Sequence, residues 1–377
     1  MNIVIAPDSF KGSLSSLEAA TMMQKACLHV FPEADVILKP MADGGEGTLD
    51  TLLFATKGNR RLVACTGPRG ESIHAPIGEL LTQQTAIIEV ATVAGLTQIP
   101  IDERDPYKTT TYGIGELIRF AVDNGWKKII VCLGGSGTND GGLGMLQALG
   151  VKFFDQTGTE IGTYGADLLN VHDVDVSGLH PQLSNVNLVV ACDVDNPLCG
   201  PNGASAVYGP QKGATTEQIE ALDEALHRYA TLLEDALGVQ AQHLPGAGAA
   251  GGLGFALMML GANMQSGAQL VGEHIGLEQA IQTADLVITG EGKSDKQTFY
   301  GKAPGYVAML AQTYKVPTIL ISGSLDDSIT DLHSLFAGCF SIVKKPMSLV
   351  ECIVNADNLL YEQTINVMHF WKSMINR

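Results

Sequence analysis

The feature that most constrains this chain is a repeated junction. A short apolar run ends in a loop crowded with glycine and with Asp, Glu or Lys. Residues 2–6 (NIVIA), 35–39, 128–133 (KIIVCL), 187–192 and 285–290 (DLVITG) all end this way. Apolar runs without polar alternation fit strands buried on both faces, the mark of a parallel sheet covered by helices. Loops at the carboxyl ends of such strands open onto the crevice where α/β proteins bind ligands. One feature therefore indicates both the fold class and where to look for chemistry. It also accounts for the 43 glycines in 377 residues, because glycine is costly inside regular elements and belongs in tight loops.

Helical spacing between the runs predicts a helix from about Ser16 to Val30, with Leu17, Ala20, Cys27 and Val30 inward. Further helices are expected at 48–56, 304–314 and from about 349, with strands at 317–322 and 339–343. The middle of the chain reads differently. Residues 61–90 alternate around a GPRGE turn, and 151–161 (VKFFDQTGTEI) suggest a second hairpin. Helices at 113–124 and 216–237 flank the central strands. The expected architecture is α/β: a discontinuous parallel-sheet domain, residues 1–64 and 286–377, with a mixed α/β domain, 65–285, inserted in it.

The formal charge of −17 argues against a polyanionic partner, so no nucleic acid is expected. A small anion held by local lysines and backbone N–H groups stays open. Seven cysteines without a CxxC pair predict reduced thiols in the cytoplasm and no structural zinc. The N-terminus lacks a secretory pattern. Residues Leu244 to Gly272 carry no charge, but glycines break them up, so a buried helix rather than a membrane span is expected.

Six loops are candidates for chemistry. APDSFKGS (6–13) offers Asp8, Ser9, Lys11 and Ser13 before a helix, where an anion or a simple helix cap fits equally. ADGGEGT (42–48) sets two glycines between Asp43 and Glu46. GGSGTNDGGLG (134–144) matches neither the GxxxxGK nor the GxGxxG fingerprint, yet its glycines with Ser136, Thr138, Asn139 and Asp140 suit a nest of N–H donors for phosphate. ACDVDNP (191–197) ends a strand on Asp193 and Asp195, which suits Mg²⁺ ligation or proton abstraction, or an Asx turn before proline. GEGKSDKQTFYGKAP (290–304) mixes Glu291, Lys293, Asp295, Lys296 and Lys302. PGAGAAGGLG (245–254) offers only backbone. The nine histidines form no metal-ligand pair, and no GxSxG elbow appears.

Taken together, APDSFKGSLS, ADGGEGT, GGSGTNDGGLGMLQALG, ACDVDNPLCGPNGAS, GPQKGA, PGAGAAGGLG and GEGKSDKQTFYGKAP run in the order seen in the bacterial glycerate kinase family, which the chain resembles over nearly its whole length. Two positions depart from that pattern. Gly137 stands where the family usually has Ala, and GEGKSD where it often has GEGRLD; Lys293 keeps the charge but lacks a guanidinium's bidentate fork. The resemblance implies ATP-dependent, Mg²⁺-assisted phosphorylation of D-glycerate, with 2-phosphoglycerate as the expected product. It also implies a Rossmann-like discontinuous domain and an active site in the cleft between two domains.

Phosphoryl transfer needs positioning, charge neutralisation and a proton acceptor. On that basis Gly134, Gly135, Ser136, Thr138, Asn139 and Asp140 would hold triphosphate oxygens. Lys11 and Lys293 would neutralise the phosphoryl group or the glycerate carboxylate, and Asp295 and Glu291 would take the metal. Asp193 is the first choice of base, with Asp43 and Asp8 as rivals. The competing expectations are a kinase for another small hydroxy acid, a binding protein without turnover, and a hydride-transfer enzyme. A homodimer is the default assembly for such a metabolic enzyme, and no membrane partner is expected.

Overall fold

The computed structural model describes residues 1–299, 302–326 and 332–375. These residues divide into two compact units. The first comprises Met1–Asp43, Asp50–Thr56 and Ser266–Arg377; the second comprises Gly44–Leu49 and Lys57–Gln265.

Five parallel strands form the sheet of the first unit: Gly338–Ser341, Thr318–Ser322, Leu286–Thr289, Asn2–Ile5 and Asp35–Leu38, in that spatial order. Counted along the unit's own chain the order is 2-1-3-4-5, a doubly wound arrangement that reverses direction between Asn2–Ile5 and Leu286–Thr289. Ile3, Ile5, Leu286, Ile288, Ile319 and Ile321 are buried in one core with Ala20, Met23, Leu360 and Met368. Helices Ser16–Val30 and Ala356–Ile375 therefore cover one face of the sheet. Helix Ala303–Thr313 packs on the strands from a separate buried cluster built around Ala308 and Leu320. Ser15 begins the Ser16–Val30 helix with a reciprocal cap: its hydroxyl accepts from Glu18 N–H, and the Glu18 carboxylate accepts from Ser15 N–H.

The second unit holds a six-stranded mixed sheet in the order Asn263–Gln265, Asn187–Ala191, Lys128–Cys132, Thr85–Glu89, Ser72–Leu80, Asn59–Thr66. The last three pair antiparallel with one another as a meander, and GPRGE turns the outer hairpin. The other pairings are parallel. Helices Tyr112–Asp123 and Thr216–Leu237 bury Leu117, Ile118, Leu226, Tyr229 and Leu233 in a single large core.

Two details differ from the sequence expectation. Lys152–Phe154 does not pair mainly with the segment just after it. It pairs with Asp173–Asp175, and Phe154–Glu160 is reduced to a single bridge. Strand-forming residues beside a turn do not say which partner completes a ladder. The long C-terminal helix is interrupted at Asn355, which caps Leu349–Val354 before Ala356–Ile375 resumes. The charge-free stretch forms a buried segment, Ala249–Met259, with left-handed residues at Ala250, Gly251 and Gly252. No helix among the described residues is long and apolar enough to cross a membrane.

Candidate active site

In the first unit, the loops leaving the two strands at the point of reversal are laced together. Ala6 N–H donates to Ile288 C=O, Asp8 N–H to Gly290 C=O and Met41 N–H to Pro7 C=O, each at 2.8 Å. Thr289 Oγ1 adds a bond to Ala6 C=O at 2.7 Å. Residues from three sequence-distant loops are thereby brought to one place. Asp8, Ser9, Lys11, Ser13, Asp43, Glu291, Lys293, Asp295 and Lys302 all line one cavity of about 570 Å³.

Its charges are paired but not quenched. Lys11 Nζ lies 3.6 Å from Asp43 Oδ2, and Lys302 Nζ lies 4.0 Å from Glu291 Oε2 and 3.8 Å from Asp295 Oδ1. Lys293 reaches toward Asp326 at 3.6 Å. The Asp8 carboxyl is buried and accepts from Ser9 N–H at 2.6 Å. Burial, reinforced by the charge of Asp43, holds its pKa well above the ordinary carboxylate range. Lys11 is shifted upward, chiefly by Asp43. Burial also raises Glu291, although Thr298 and Ser294 donate hydroxyls to its Oε1 at 2.6 and 2.9 Å and Lys302 opposes the shift. A buried carboxyl with a raised pKa beside cationic lysines is a plain acid–base and anion-handling arrangement. In the 290–304 loop, Tyr300 and Gly301 lie outside the described residues.

The second unit carries the remaining sequence candidates, and here the geometry turns inward. Asp140 is fully buried and accepts from Thr111 N–H (2.8 Å), Thr111 Oγ1 (2.7 Å), Gly142 N–H (3.1 Å) and Gly144 N–H (3.3 Å). Asn139 donates to Ser205 Oγ at 2.9 Å. Several N–H groups expected to face phosphate are used internally: Gly134 donates to Gly44 C=O, Gly137 to Ala94 C=O and Gly141 to Gly251 C=O. At Gly251 a Cβ would stand 2.1 Å from Thr138 C=O, so the PGAGAAGG segment is a packing surface for this loop. The side chains of Thr138, Asn139 and Asp140 thus turn inward, and the loop's accessible part is Gly134 and Gly135. Two of their buried atoms, Thr138 Oγ1 and Asn139 Oδ1, have no hydrogen-bond partner. Asp193 follows the strand Asn187–Ala191 and is exposed.

Sequence reasoning missed Lys212, from the GPQKGA segment. It is only 2 % exposed, and it donates to Ser136 Oγ at 3.1 Å and to Thr138 C=O at 2.5 Å. Burial pulls its ammonium down to about 7, with the charge of Asp140 opposing the shift. Its one available signal was position. A lysine between two glycines has no amphipathic helix face to occupy. Lys302, between Glu291 and Asp295, was visible in the loop but had no assigned role.

Comparison with known proteins gives the family. The model of the glycerate kinase family matches residues 3–372. The chain is 48% identical to glycerate kinase of Bacillus subtilis (strain 168), over 94% of both chains. It is also 48% identical to glycerate 2-kinase of Escherichia coli (strain K12), over 88% of both. A crystal structure from Salmonella typhimurium LT2, provisionally identified as glycerate kinase 2, superposes with a TM-score of 0.87 at 45% identity, covering both chains fully. The family model spanning residues 3–372 and relatives 48% identical over most of both chains lead to one assignment: the chain belongs to the glycerate kinase family.

Proposed function

We propose that this chain transfers the γ-phosphoryl group of ATP to D-glycerate, giving 2-phosphoglycerate. The observation that carries the reading is the cavity of the first unit, where three lysines stand among carboxylates at the switch point of a doubly wound sheet. Phosphoryl transfer needs little covalent help from a protein and much electrostatic help. Lys11, exposed on the cavity wall, and Lys293 supply positive charge for the transferring group or for the substrate carboxylate.

Two carboxylates are suited to accept the hydroxyl proton. Asp8 is favoured, because its raised pKa makes it a stronger base than a solvated carboxylate while Lys11 is at hand to receive charge. Asp43 holds Lys11 in place. Asp193, in the second unit, is the alternative base, and the turn at Gly135 is the part of the 134–144 loop open to an anion.

Mg²⁺ belongs to the same reading. Glu291 and Asp295 already flank a cation, the Lys302 ammonium, and Glu291 Oε1 is saturated by hydroxyls, which leaves Oε2 for the ion. An ion that wants one or two carboxylates, phosphates and water fits this set. When bound, Mg²⁺ would draw charge from the β- and γ-phosphate oxygens. All seven cysteines are unpaired thiols, which supports a cytoplasmic setting. A homodimer completes the proposal, to be checked by sedimentation.

The test is a coupled ADP-release assay with ATP, Mg²⁺ and D-glycerate, run beside L-glycerate, glycolate and D-lactate, with the product identified by phosphorus NMR. Turnover confined to D-glycerate, with phosphorus coupled to the C2 proton, is expected. Turnover with glycolate or lactate instead would move the assignment to another hydroxy acid.

A further inference from the structure

The charged residues make up only part of the lining of the 570 Å³ cavity. Another part is apolar. Ile342, Val343 and Met347 come from the segment after strand Gly338–Ser341, and Leu349, Cys352 and Ile353 from the short helix Leu349–Val354. Leu349 is 73% exposed, and Val343 and Ile353 are 37% exposed each. Side chains of this type left open to water beside a polar site mark a surface that a ligand covers.

D-Glycerate does not explain that wall. Every carbon of the acid bears an oxygen, so it has no face that gains from aliphatic contact, and it is far smaller than the cavity. Sites of roughly 300–1,000 Å³ hold ligands of nucleotide size, with apolar lining and a few placed charges. Of the two substrates only ATP is built that way: anionic and metal-binding at one end, flat and weakly polar at the other. We infer that the adenine of ATP lies against the Val343, Leu349 and Ile353 wall, with its phosphates directed toward Lys293, Lys302 and Lys11 across the same cavity. This rests on the kinase reading above and adds to it the position and polarity of the nucleotide. The first unit then holds the nucleoside, and the base-binding surface is supplied by a segment that no glycine motif marks.

Two measurements test this. The variants Leu349→Asp and Ile353→Asp change half-exposed or exposed positions, and Leu349 is the first residue after the Ser348 cap, where an acidic side chain suits the helix N-terminus. Each is expected to raise the KM for ATP at least tenfold while leaving the KM for D-glycerate within about twofold, the loss of apolar contact being confined to one substrate. An unchanged KM for ATP in an active variant would overturn the placement, and a rise in the D-glycerate KM alone would assign the wall to the acid. The second measurement does not depend on turnover. Alkylation of Cys352 by N-ethylmaleimide, followed by peptide mass, should slow at least fivefold with ADP or adenosine and be indifferent to inorganic triphosphate. Equal labelling with and without ADP, or protection by triphosphate as strong as by ADP, would overturn it. If the wild-type chain protects Cys352 with adenosine yet phosphorylates no glycerate, the kinase reading falls while the base site stands.

Discussion

Loops 134–144 and 290–304 look alike as sequence. Each follows an apolar strand, each is rich in glycine, and each mixes hydroxyls with charge. In the structure they do opposite things. The 290–304 loop directs Glu291, Lys293, Asp295 and Lys302 into an open cavity. The 134–144 loop directs Thr138, Asn139 and Asp140 into the core of the second unit, where they are fully buried. Side-chain length explains much of the difference. A short side chain such as Asp can bond to backbone N–H groups that a loop leaves unpaired, as Asp140 does with Thr111, Gly142 and Gly144. Lys has longer reach, which lets Lys293 and Lys302 carry their ammonium groups to the cavity. Glycine permits both outcomes and does not choose between them.

The comparison is broken most severely at Asp140. If that carboxylate is a brace and not a ligand contact, Asp140→Ala strips four hydrogen bonds from the core. A cost of about 3–5 kcal/mol is expected for removing a buried charged acceptor from its donors. Thermal unfolding should show it as a drop of roughly 10 °C, or as insoluble protein. A variant that melts like the wild type and loses only ATP affinity would make Asp140 a ligand residue after all.

Asp8 is expected to behave in the reverse way. Asp8→Asn keeps the shape and removes a carboxylate that burial and Asp43 disfavour. Turnover should fall by roughly 10²–10⁴ if Asp8 is the base. Stability at neutral pH should be retained or improved. The sign follows from the raised native pKa: the folded state keeps its proton to higher pH than the unfolded chain. Wild-type stability therefore declines relative to the variant as pH climbs from the unfolded value through the raised one, and the two converge in acid. Denaturant titrations at pH 4 and pH 8 measure it. Full turnover in Asp8→Asn would shift the role to Asp193, tested by the matching Asp193→Asn variant.

Much of this was legible in the sequence. The runs NIVIA and DLVITG and the meander around GPRGE fixed their strands because apolar continuity and alternation are local properties. Asp8, Lys11, Asp43, Glu291, Lys293 and Asp295 were legible as a site because each sits just past a strand. Their convergence was not, since it depends on strand order 2-1-3-4-5, which joins residues 283 apart in hydrogen bonds such as Thr289 to Ala6. Inward-turned Thr138, Asn139 and Asp140 could not be told from outward-turned ones, because the letters of a brace and of a nest coincide. The aliphatic wall at 342–353 escaped notice because Ile, Val and Leu read as core wherever they occur.

Lys212 sharpens the comparison from the side of the brace. It is a charged residue where the loop should be short and neutral, and it is buried with two acceptors and no carboxylate among its hydrogen bonds. A lysine lowered to about 7 in the fold releases its proton there well before the unfolded chain does. Between about pH 7 and the ordinary lysine range the unfolded state binds more protons, so this group makes the protein more stable as pH rises and contributes no slope below 7. Lys212→Met should abolish that rise, lowering the slope between pH 7 and 9 by up to about 1 kcal/mol per unit. If Lys212 also sets the attitude of Ser136, the variant raises the KM for a substrate while Lys212→Arg restores part of it. Identical pH slopes in the two proteins would place the ammonium in contact with water.

Gly137 offers the smallest effect and the finest test. A Cβ there would stand 2.8 Å from Ile99 Cδ1 and 3.1 Å from Leu96 Cα, with no left-handed φ to forbid it. The Ile99 methyl is the end of a flexible side chain and can turn aside, whereas the Leu96 backbone has to yield a few tenths of an ångström. Restricting the unfolded chain favours alanine by about 0.4–1 kcal/mol, and the crowding opposes it by a similar amount. Gly137→Ala should therefore change the melting temperature by no more than about 3 °C. Because Gly137 N–H anchors the loop to Ala94 C=O on its braced side, turnover should stay within about twofold of wild type, a difference of roughly 0.4 kcal/mol. A large activity loss at unchanged stability would mean that the loop's accessible turn, Gly134 and Gly135, has moved with Leu96, and that the two loops are less different in function than in packing.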